Sequence, residues 1–159
     1  MRASPERIKL AQDSFNGWGN LELASGTAAT FERSSRFLVL LEPDEDVRDA
    51  LQVLLQGQEW RVETVGSVTD LQHCLERDAV HAVISEVRLP GCVAADVLRT
   101  CLQSKVPVVF IGHDVLVQEA VDLIRKGAID YLEKPFSRQR LLNLLNRITK
   151  RHNGEAIPR

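Results

Sequence analysis

The sequence has few cysteines, few aromatic residues and no strong excess of charge of one sign. Its three cysteines, Cys74, Cys92 and Cys101, form no C-x-x-C pair, which argues against a disulfide framework or a zinc site and favours small buried side chains. The formal net charge of -2 gives no general attraction for nucleic acid or for an anionic membrane. Binding to either would need a local basic patch.

Long apolar runs are also missing. No stretch approaches the roughly 18 apolar residues that a membrane-spanning helix needs, and the segment from Met1 to Glu6 lacks the apolar region of a secretory signal. We therefore expect a cytoplasmic protein without a membrane partner. Hydrophobic residues still make up 44% of the 159 residues, which is enough for one buried core.

The chain divides into an arm, a domain and a tail. Residues 1–35 contain glycines, serines and little periodicity, which predicts a flexible arm or linker. Residues 36–150 alternate between apolar runs and segments of helical periodicity, which predicts one domain. Residues 151–159 are then a short C-terminal tail.

Five apolar runs predict strands, at residues 37–41, 60–65, 80–85, 106–111 and 129–132. Each is followed by a segment with apolar residues at helical spacing. The expected inward-facing residues are Val47, Leu51, Leu54, Leu55, then Leu71, Cys74, Leu75, then Ala94, Val97, Leu98, Cys101, then Val117, Ala120, Val121, Ile124, and finally Leu141, Leu144, Leu145 and Ile148. Because parallel neighbours need crossover helices, the alternation predicts a doubly wound α/β fold with a five-stranded parallel sheet and five helices.

Residues at helix ends agree with this division. Ser67 and Asp70 have the spacing of a capping pair at the start of the second helix. Gly57 and Gly127 follow the first and fourth helices, where a C-terminal glycine is common.

Polar residues follow the predicted strands. Glu42 and Pro43 follow the first strand, Glu86 the third, Gly112 the fourth and Lys134 the fifth. In an open parallel sheet, the functional crevice lies outside the carboxyl ends of the strands. We therefore expect two carboxylates and an amine to converge there.

Three motifs resemble the receiver domain of bacterial two-component response regulators. Residues 87–91 (VRLPG) are similar to the loop after the family's phosphoacceptor, residues 126–136 (KGAIDYLEKPF) to its closing signature, and residues 46–48 (DVR) to the start of its first helix. The resemblance covers residues 36–150. It implies a flavodoxin-like fold and a signalling role that is not enzymatic.

The resemblance also maps the family's phosphorylation pocket onto this sequence, with departures. The acidic pair corresponds to Glu42 with Pro43, the phosphoacceptor aspartate to Glu86, the serine or threonine to Gly112, and the lysine to Lys134. Only the lysine is unchanged. A near-octahedral Mg²⁺ ion at about 2.0–2.1 Å tolerates little displacement of its ligands. We therefore expect Mg²⁺ binding, with Glu42 and Glu86 as weak candidate ligands, to be weak or absent, and the pocket not to be phosphorylated.

Glu86 and Lys134 are close enough in this mapping to form an ion pair. The pair either imitates part of the phosphorylated charge pattern or simply neutralises a half-buried lysine, since an unpaired buried charge is costly. Tyr131 corresponds to the aromatic residue that changes rotamer in the family when the phosphorylated state forms. Asp44 and Asp46 fit the positive end of the first helix better than a metal site.

The resemblance implies protein partners, namely a histidine kinase, an effector domain or another receiver. Family members commonly pair through the fourth helix, the fifth strand and the fifth helix, which predicts a homodimer with acids of one helix against arginines of the other. Although residues 138–159 contain six Lys or Arg, no base-reading motif follows, so we do not expect nucleic-acid binding. The candidate interface residues are Asp114, Glu119, Asp122, Arg125, Arg138, Arg140 and Arg147.

Other interpretations stay open. The domain could still respond to a phosphodonor or Mg²⁺ through a non-standard pocket, or it could be a small flavin- or nucleotide-binding protein of the same fold, although no glycine-rich phosphate loop follows the first strand. An unrelated enzyme using Ser85, Glu86 and His113 lacks a strained-nucleophile motif, and His113 is interpreted as a solvated loop residue. A stand-alone adaptor and a piece of a longer regulator are equally compatible with the sequence.

Overall fold

The computed structural model describes residues 36–152, and five strands and five helices alternate within that range. The strands are β1 (Arg36–Leu41), β2 (Trp60–Val65), β3 (Ala82–Glu86), β4 (Val108–Gly112) and β5 (Asp130–Glu133). The helices are α1 (Glu45–Gln56), α2 (Val68–Arg77), α3 (Ala94–Gln103), α4 (Val117–Arg125) and α5 (Arg138–His152). The predicted arm at residues 1–35 and most of the predicted tail lie outside the described residues.

All strand pairs are parallel, in the order β2-β1-β3-β4-β5. This is the order of flavodoxin-like folds, and it confirms the doubly wound α/β prediction. The chain turns from one side of the sheet to the other between β1 and β3, and a crevice forms where two such strands diverge at their carboxyl ends.

Two apolar layers cover the sheet. One face packs against α1 and α5 through residues such as Leu51 and Leu141, and the other against α2, α3 and α4 through residues such as Leu71 and Val97. β1, β3 and β4 are almost wholly buried, because strands covered on both faces need apolar side chains at every position.

Side chains satisfy the first backbone N–H groups of two helices. Oδ1 of Asp44 accepts from the backbone N–H groups of Asp46 and Val47, at 3.0 and 3.2 Å, at the start of α1. Oγ of Ser67 accepts from the backbone N–H of Asp70 at 3.1 Å, which confirms the capping pair of α2.

The predicted inner face of α4 was wrong at Val117 and Ile124, although Ala120 packs against the core as expected. Val117 and Ile124 are 80% and 42% exposed, whereas Leu123 is buried at 5%. The helix turns Ala120 and Leu123 towards the sheet, and apolar residues also occupy its outer side. Spacing alone did not distinguish the two sides, because apolar residues three or four positions apart occur on both.

Smaller differences concern element ends. β3, β4 and β5 each extend one residue beyond their predicted ends, to include Glu86, Gly112 and Glu133. Gly57 follows α1 in a right-handed helical conformation, which any residue can adopt. Gly127, which follows α4, has a positive φ of 122°, which favours glycine as expected. No helix within residues 36–152 is both long and apolar enough to cross a bilayer.

Candidate functional site

The carboxyl ends of four neighbouring strands meet at one edge of the sheet. β1 is followed by Glu42, β3 ends at Glu86, β4 ends at Gly112, and β5 is followed by Lys134. Since β1, β3, β4 and β5 are consecutive in a parallel sheet, these residues lie side by side. The predicted convergence of the pocket positions is present.

Lys134 is the centre of a buried ion cluster, formed with Glu42 and Glu86. Its Nζ donates to Oε2 of Glu42 at 2.8 Å and to Oε2 of Glu86 at 2.7 Å. Oε1 of Glu42 accepts from the backbone N–H of Asp44 at 2.9 Å, and Oε1 of Glu86 from that of Arg88 at 3.0 Å. Each of the four carboxylate oxygens therefore has a donor.

The buried ion cluster contains two carboxylates and one ammonium group. Lys134, Glu42 and Glu86 are only 6%, 1% and 6% exposed. Burial raises the pKa of Glu42, because the loss of hydration outweighs the attraction of Lys134. Burial alone would lower the pKa of Lys134, but the charges and hydrogen bonds of Glu42 and Glu86 outweigh it and raise that pKa. Lys134 is therefore charged at neutral pH.

Gly112 lies directly beside this cluster. Its carbonyl oxygen accepts from the backbone N–H of Lys134 at 2.8 Å and from the hydroxyl of Tyr131 at 3.0 Å. Tyr131 is half-buried, and burial with the nearby negative charge of Glu133 raises its pKa to about 12. The Tyr131 side chain is thus hydrogen-bonded to the backbone carbonyl of a pocket residue, Gly112.

The two pocket carboxylates hold an ammonium group at the place where a Mg²⁺ ion would need them as ligands. Mg²⁺ requires several oxygen ligands in near-octahedral geometry, but the ammonium of Lys134 lies between the carboxylates of Glu42 and Glu86. Pro43 is exposed and supplies neither a carboxylate nor a backbone N–H. Within residues 36–152, no group of three or more His, Cys, Asp or Glu side chains is arranged to hold a metal.

Two other candidate residues are not brought into a catalytic arrangement. Ser85 is fully buried and its hydroxyl donates to the backbone carbonyl of Glu86 at 3.1 Å. His113 is exposed. Of the cysteines, Cys74 and Cys101 are buried as expected, whereas Cys92 is half-buried.

Several candidate interface residues already have partners within the chain. Glu119 forms an ion pair with Arg88 at 3.1 Å, and Arg147 approaches Asp130 at 3.9 Å. Asp114, Arg125, Arg140 and Arg147 are exposed, while Glu119, Asp122 and Arg138 are half-buried. The charges are therefore accessible, but a partner would compete with intramolecular contacts.

Sequence reasoning missed an apolar ridge at α4, formed by Leu116, Val117 and Ile124. Leu116 is 72% exposed, and Val117 and Ile124 were assigned to the interior. It also missed the pairing of Glu42 with Lys134 and the contact between Gly112 and Glu86. Their adjacency could have been inferred from the strand order, but not the side-chain geometry.

A doubly wound parallel sheet with a lysine and carboxylates at its carboxyl edge defines a domain of the receiver class. The sequence profile of the response regulator receiver domain matches residues 38–146. The chain belongs to this family, whose members act in two-component signal transduction.

Curated relatives are response regulators from bacteria. The chain is 31% identical over 110 residues to the phosphoglycerate transport system transcriptional regulatory protein PgtA of Salmonella typhimurium, covering 68% of this chain and 26% of that protein. It is 28% identical over 134 residues to the response regulator protein TodT of Pseudomonas putida, covering 83% and 59%. It is 36% identical over 115 residues to the response regulator protein FleR of Pseudomonas aeruginosa, covering 69% and 24%. The chain thus spans between about a quarter and three fifths of these relatives.

Solved structures have the same fold. The signal receiver domain of a LuxO repressor protein from Vibrio parahaemolyticus matches with a TM-score of 0.68 and 25% identity, covering 77% of this chain and 98% of that one. A two-component response regulator from Clostridium difficile matches with a TM-score of 0.69 at 16% identity, covering 74% and 98%, and supports the fold alone.

Proposed function

We propose that this chain is an atypical receiver domain, which signals through protein contacts and not through phosphorylation of an aspartate. The observation that carries this proposal is the buried ion cluster. The position of the family's phosphoacceptor holds Glu86, and its carboxylate is engaged by Lys134 at 2.7 Å and by the backbone N–H of Arg88 at 3.0 Å.

A phosphodonor would have to displace these contacts. The lysine that would meet a phosphoryl group is already paired with two carboxylates, at 2.8 and 2.7 Å. Gly112 offers no hydroxyl, and Pro43 no metal ligand. Breaking one side of a buried ion pair costs about 3–5 kcal/mol, and we propose that Mg²⁺ binds too weakly here to offset this cost.

The proposed partner is another protein, which is a histidine kinase, an effector domain or another receiver. PgtA is named a transcriptional regulatory protein, and the chain matches 26% of its length. We propose that this chain likewise acts on an output unit, either in the same protein or in a partner, in the cytoplasm. It performs no catalysis in this role.

The proposed contact surface comprises α4, β5 and α5. Its charged residues are accessible, and Leu116 and Val117 add apolar area, at 72% and 80% exposure. Exposed apolar patches bordered by charges are common at protein interaction sites. A homodimer through this surface would bring acidic residues of α4 near arginines of α5.

The phosphorylation part is tested by recording backbone amide NMR spectra with Mg²⁺ and beryllofluoride, a phosphoryl mimic. We expect no saturable shifts around Glu86, Gly112 and Tyr131. A P43D/E86D/G112T variant, which restores the family's residue types, serves as the matched control and should respond. Saturable shifts in the unmodified chain that reach Tyr131 would instead support a receiver with a non-standard pocket.

The homodimer part is tested by sedimentation velocity over a range of protein concentrations. Arg140→Glu, in the proposed surface, should weaken self-association, whereas Arg99→Glu, exposed on α3, should not. A chain that stays monomeric at every concentration would exclude the homodimer and leave a different protein as the partner.

A further inference from the structure

We infer that Gly112 and Glu86 form one packing unit, in which the missing side chain of Gly112 makes room for the carboxylate of Glu86 and positions it for Lys134. This packing does not depend on whether the chain responds to a phosphodonor, so its test is independent of the proposed function.

The space beside Gly112 is taken by Glu86. A Cβ atom built at Gly112 would lie 3.0 Å from Oε1 of Glu86, 3.3 Å from Cγ2 of Val115 and 3.5 Å from Cβ of Val87. Ordinary van der Waals contacts of a Cβ begin at 3.4 Å. A Cβ at this position would therefore press most closely on the Glu86 carboxylate, and then on Val115, and these neighbours would have to shift by a few tenths of an ångström.

The Glu86 carboxylate cannot move aside at low cost. Oε1 is held by the backbone N–H of Arg88 at 3.0 Å, and Oε2 by Nζ of Lys134 at 2.7 Å. The residue is 6% exposed, so water does not replace either contact when it is broken. A displaced carboxylate would leave the charge of Lys134 only partly compensated.

Backbone geometry does not require glycine here. Gly112 is the last residue of β4 and pairs with Glu133 of β5, and its φ does not lie in the left-handed region. A glycine within a strand is otherwise unfavourable, because it contributes no packing and loses more backbone entropy. Steric room for Glu86 is thus the physical reason for glycine at this position.

The inference predicts that glutamate at position 86 and a residue with a Cβ at position 112 exclude each other. Glu86→Asp removes one methylene and draws the carboxylate back from Gly112. The same volume can then be filled in two ways. One is an aspartate at position 86 with a serine or threonine at position 112, and the other is a glutamate at position 86 with a glycine at position 112.

A double-mutant cycle tests this coupling. Gly112→Ala is made in the unmodified chain, in the E86D chain and in the E86Q chain, and unfolding is followed in urea. We expect Gly112→Ala to lower the folding equilibrium constant about tenfold more in the unmodified chain than in the E86D chain. The E86Q chain keeps the side-chain size and should give no relief. Gly66→Ala, with nothing within 4 Å of the added Cβ, is the control and should cost little.

An NMR readout distinguishes positioning from general destabilisation. Gly112→Ala should shift the signals of the Lys134 ammonium and the Arg88 amide, whereas Gly66→Ala should leave both unchanged. The inference is overturned if Gly112→Ala costs as much in the E86D chain, if E86Q relieves as much as E86D, or if both signals stay in place. If the G112A chain does not fold, a folded E86D/G112A chain supports the inference and an unfolded one overturns it.

Discussion

Removing the ammonium of Lys134 would leave two carboxylates buried without a counter-charge. Glu42 and Glu86 are 1% and 6% exposed, so solvent cannot replace the lost partner. Loss of one partner from a buried ion pair typically costs about 3–5 kcal/mol. Against the usual stability of a domain, about 5–15 kcal/mol, we expect Lys134→Met to remove a large fraction of the free energy of unfolding.

Urea unfolding monitored by circular dichroism measures this loss. Lys150→Met is the matched control, because Lys150 is exposed on α5. The loss in K134M should be smaller at mildly acidic than at alkaline pH, because protonation of a buried carboxyl removes its uncompensated charge. Adding Glu42→Gln and Glu86→Gln to K134M should recover most of the stability, since the amides still accept the two backbone N–H bonds. A triple variant no more stable than K134M would refute this explanation.

Three further predictions concern neighbouring contacts. Because burial raises the pKa of Glu42 above 4.5, this carboxyl favours the folded state below that pH, and its contribution is lost as the pH rises through the folded pKa. The free energy of unfolding of Glu42→Gln, relative to that of the unmodified chain, should therefore rise as the pH is raised above 4.5 in urea titrations; a pH-independent difference would contradict this. Tyr131→Phe loses the hydrogen bond to Gly112 and should lower the free energy of unfolding by about 0.5–1.5 kcal/mol, while absorbance titration of this single tyrosine should give a pKa of about 12. A double-mutant cycle on the Arg88–Glu119 pair, whose side chains are 60% and 34% exposed, should give a coupling below about 1 kcal/mol that falls with added salt, and a larger, salt-insensitive coupling would show that the pair is more than a surface contact.

The fold was predictable because the hydrophobic period changes regularly along the chain. Strands buried on both faces read as continuous apolar runs, and amphipathic helices separate them. The inner face of α4 was not predictable in the same way. Leu123 and Ile124 are equally apolar neighbours, and only packing against the sheet decides that Leu123 is buried and Ile124 is exposed.

The composition of the site was predictable from strand ends, but its geometry was not. Glu86 and Lys134 were expected to form an ion pair, and the structure places Oε2 of Glu86 2.7 Å from Nζ of Lys134. The second contact of Lys134, to Glu42, depends on side-chain rotamers and on the order of β1 and β3. The role of Gly112 was interpreted only as the loss of a hydroxyl, because the collision of a Cβ with Glu86 appears only in three dimensions.

The substitutions in this pocket depend on one another, so reversing one of them should not restore a working receiver. Gly112→Thr alone would place a Cβ 3.0 Å from Oε1 of Glu86, which is closer than an ordinary van der Waals contact. Glu86→Asp alone lengthens its contact with Lys134 and leaves space beside Gly112. Pro43→Asp alone adds a negative charge next to a cluster that already contains two carboxylates for one ammonium.

Only the combined P43D/E86D/G112T variant relieves the collision, supplies the hydroxyl and provides oxygen ligands for Mg²⁺, whose charge would offset the added carboxylate. We expect this variant alone to give saturable NMR shifts at Tyr131 with Mg²⁺ and beryllofluoride, while each single variant stays silent and is less stable than the unmodified chain. A response from any single variant would show that its substitution acts independently, and the pocket would then be one step, not three, away from a phosphorylation switch.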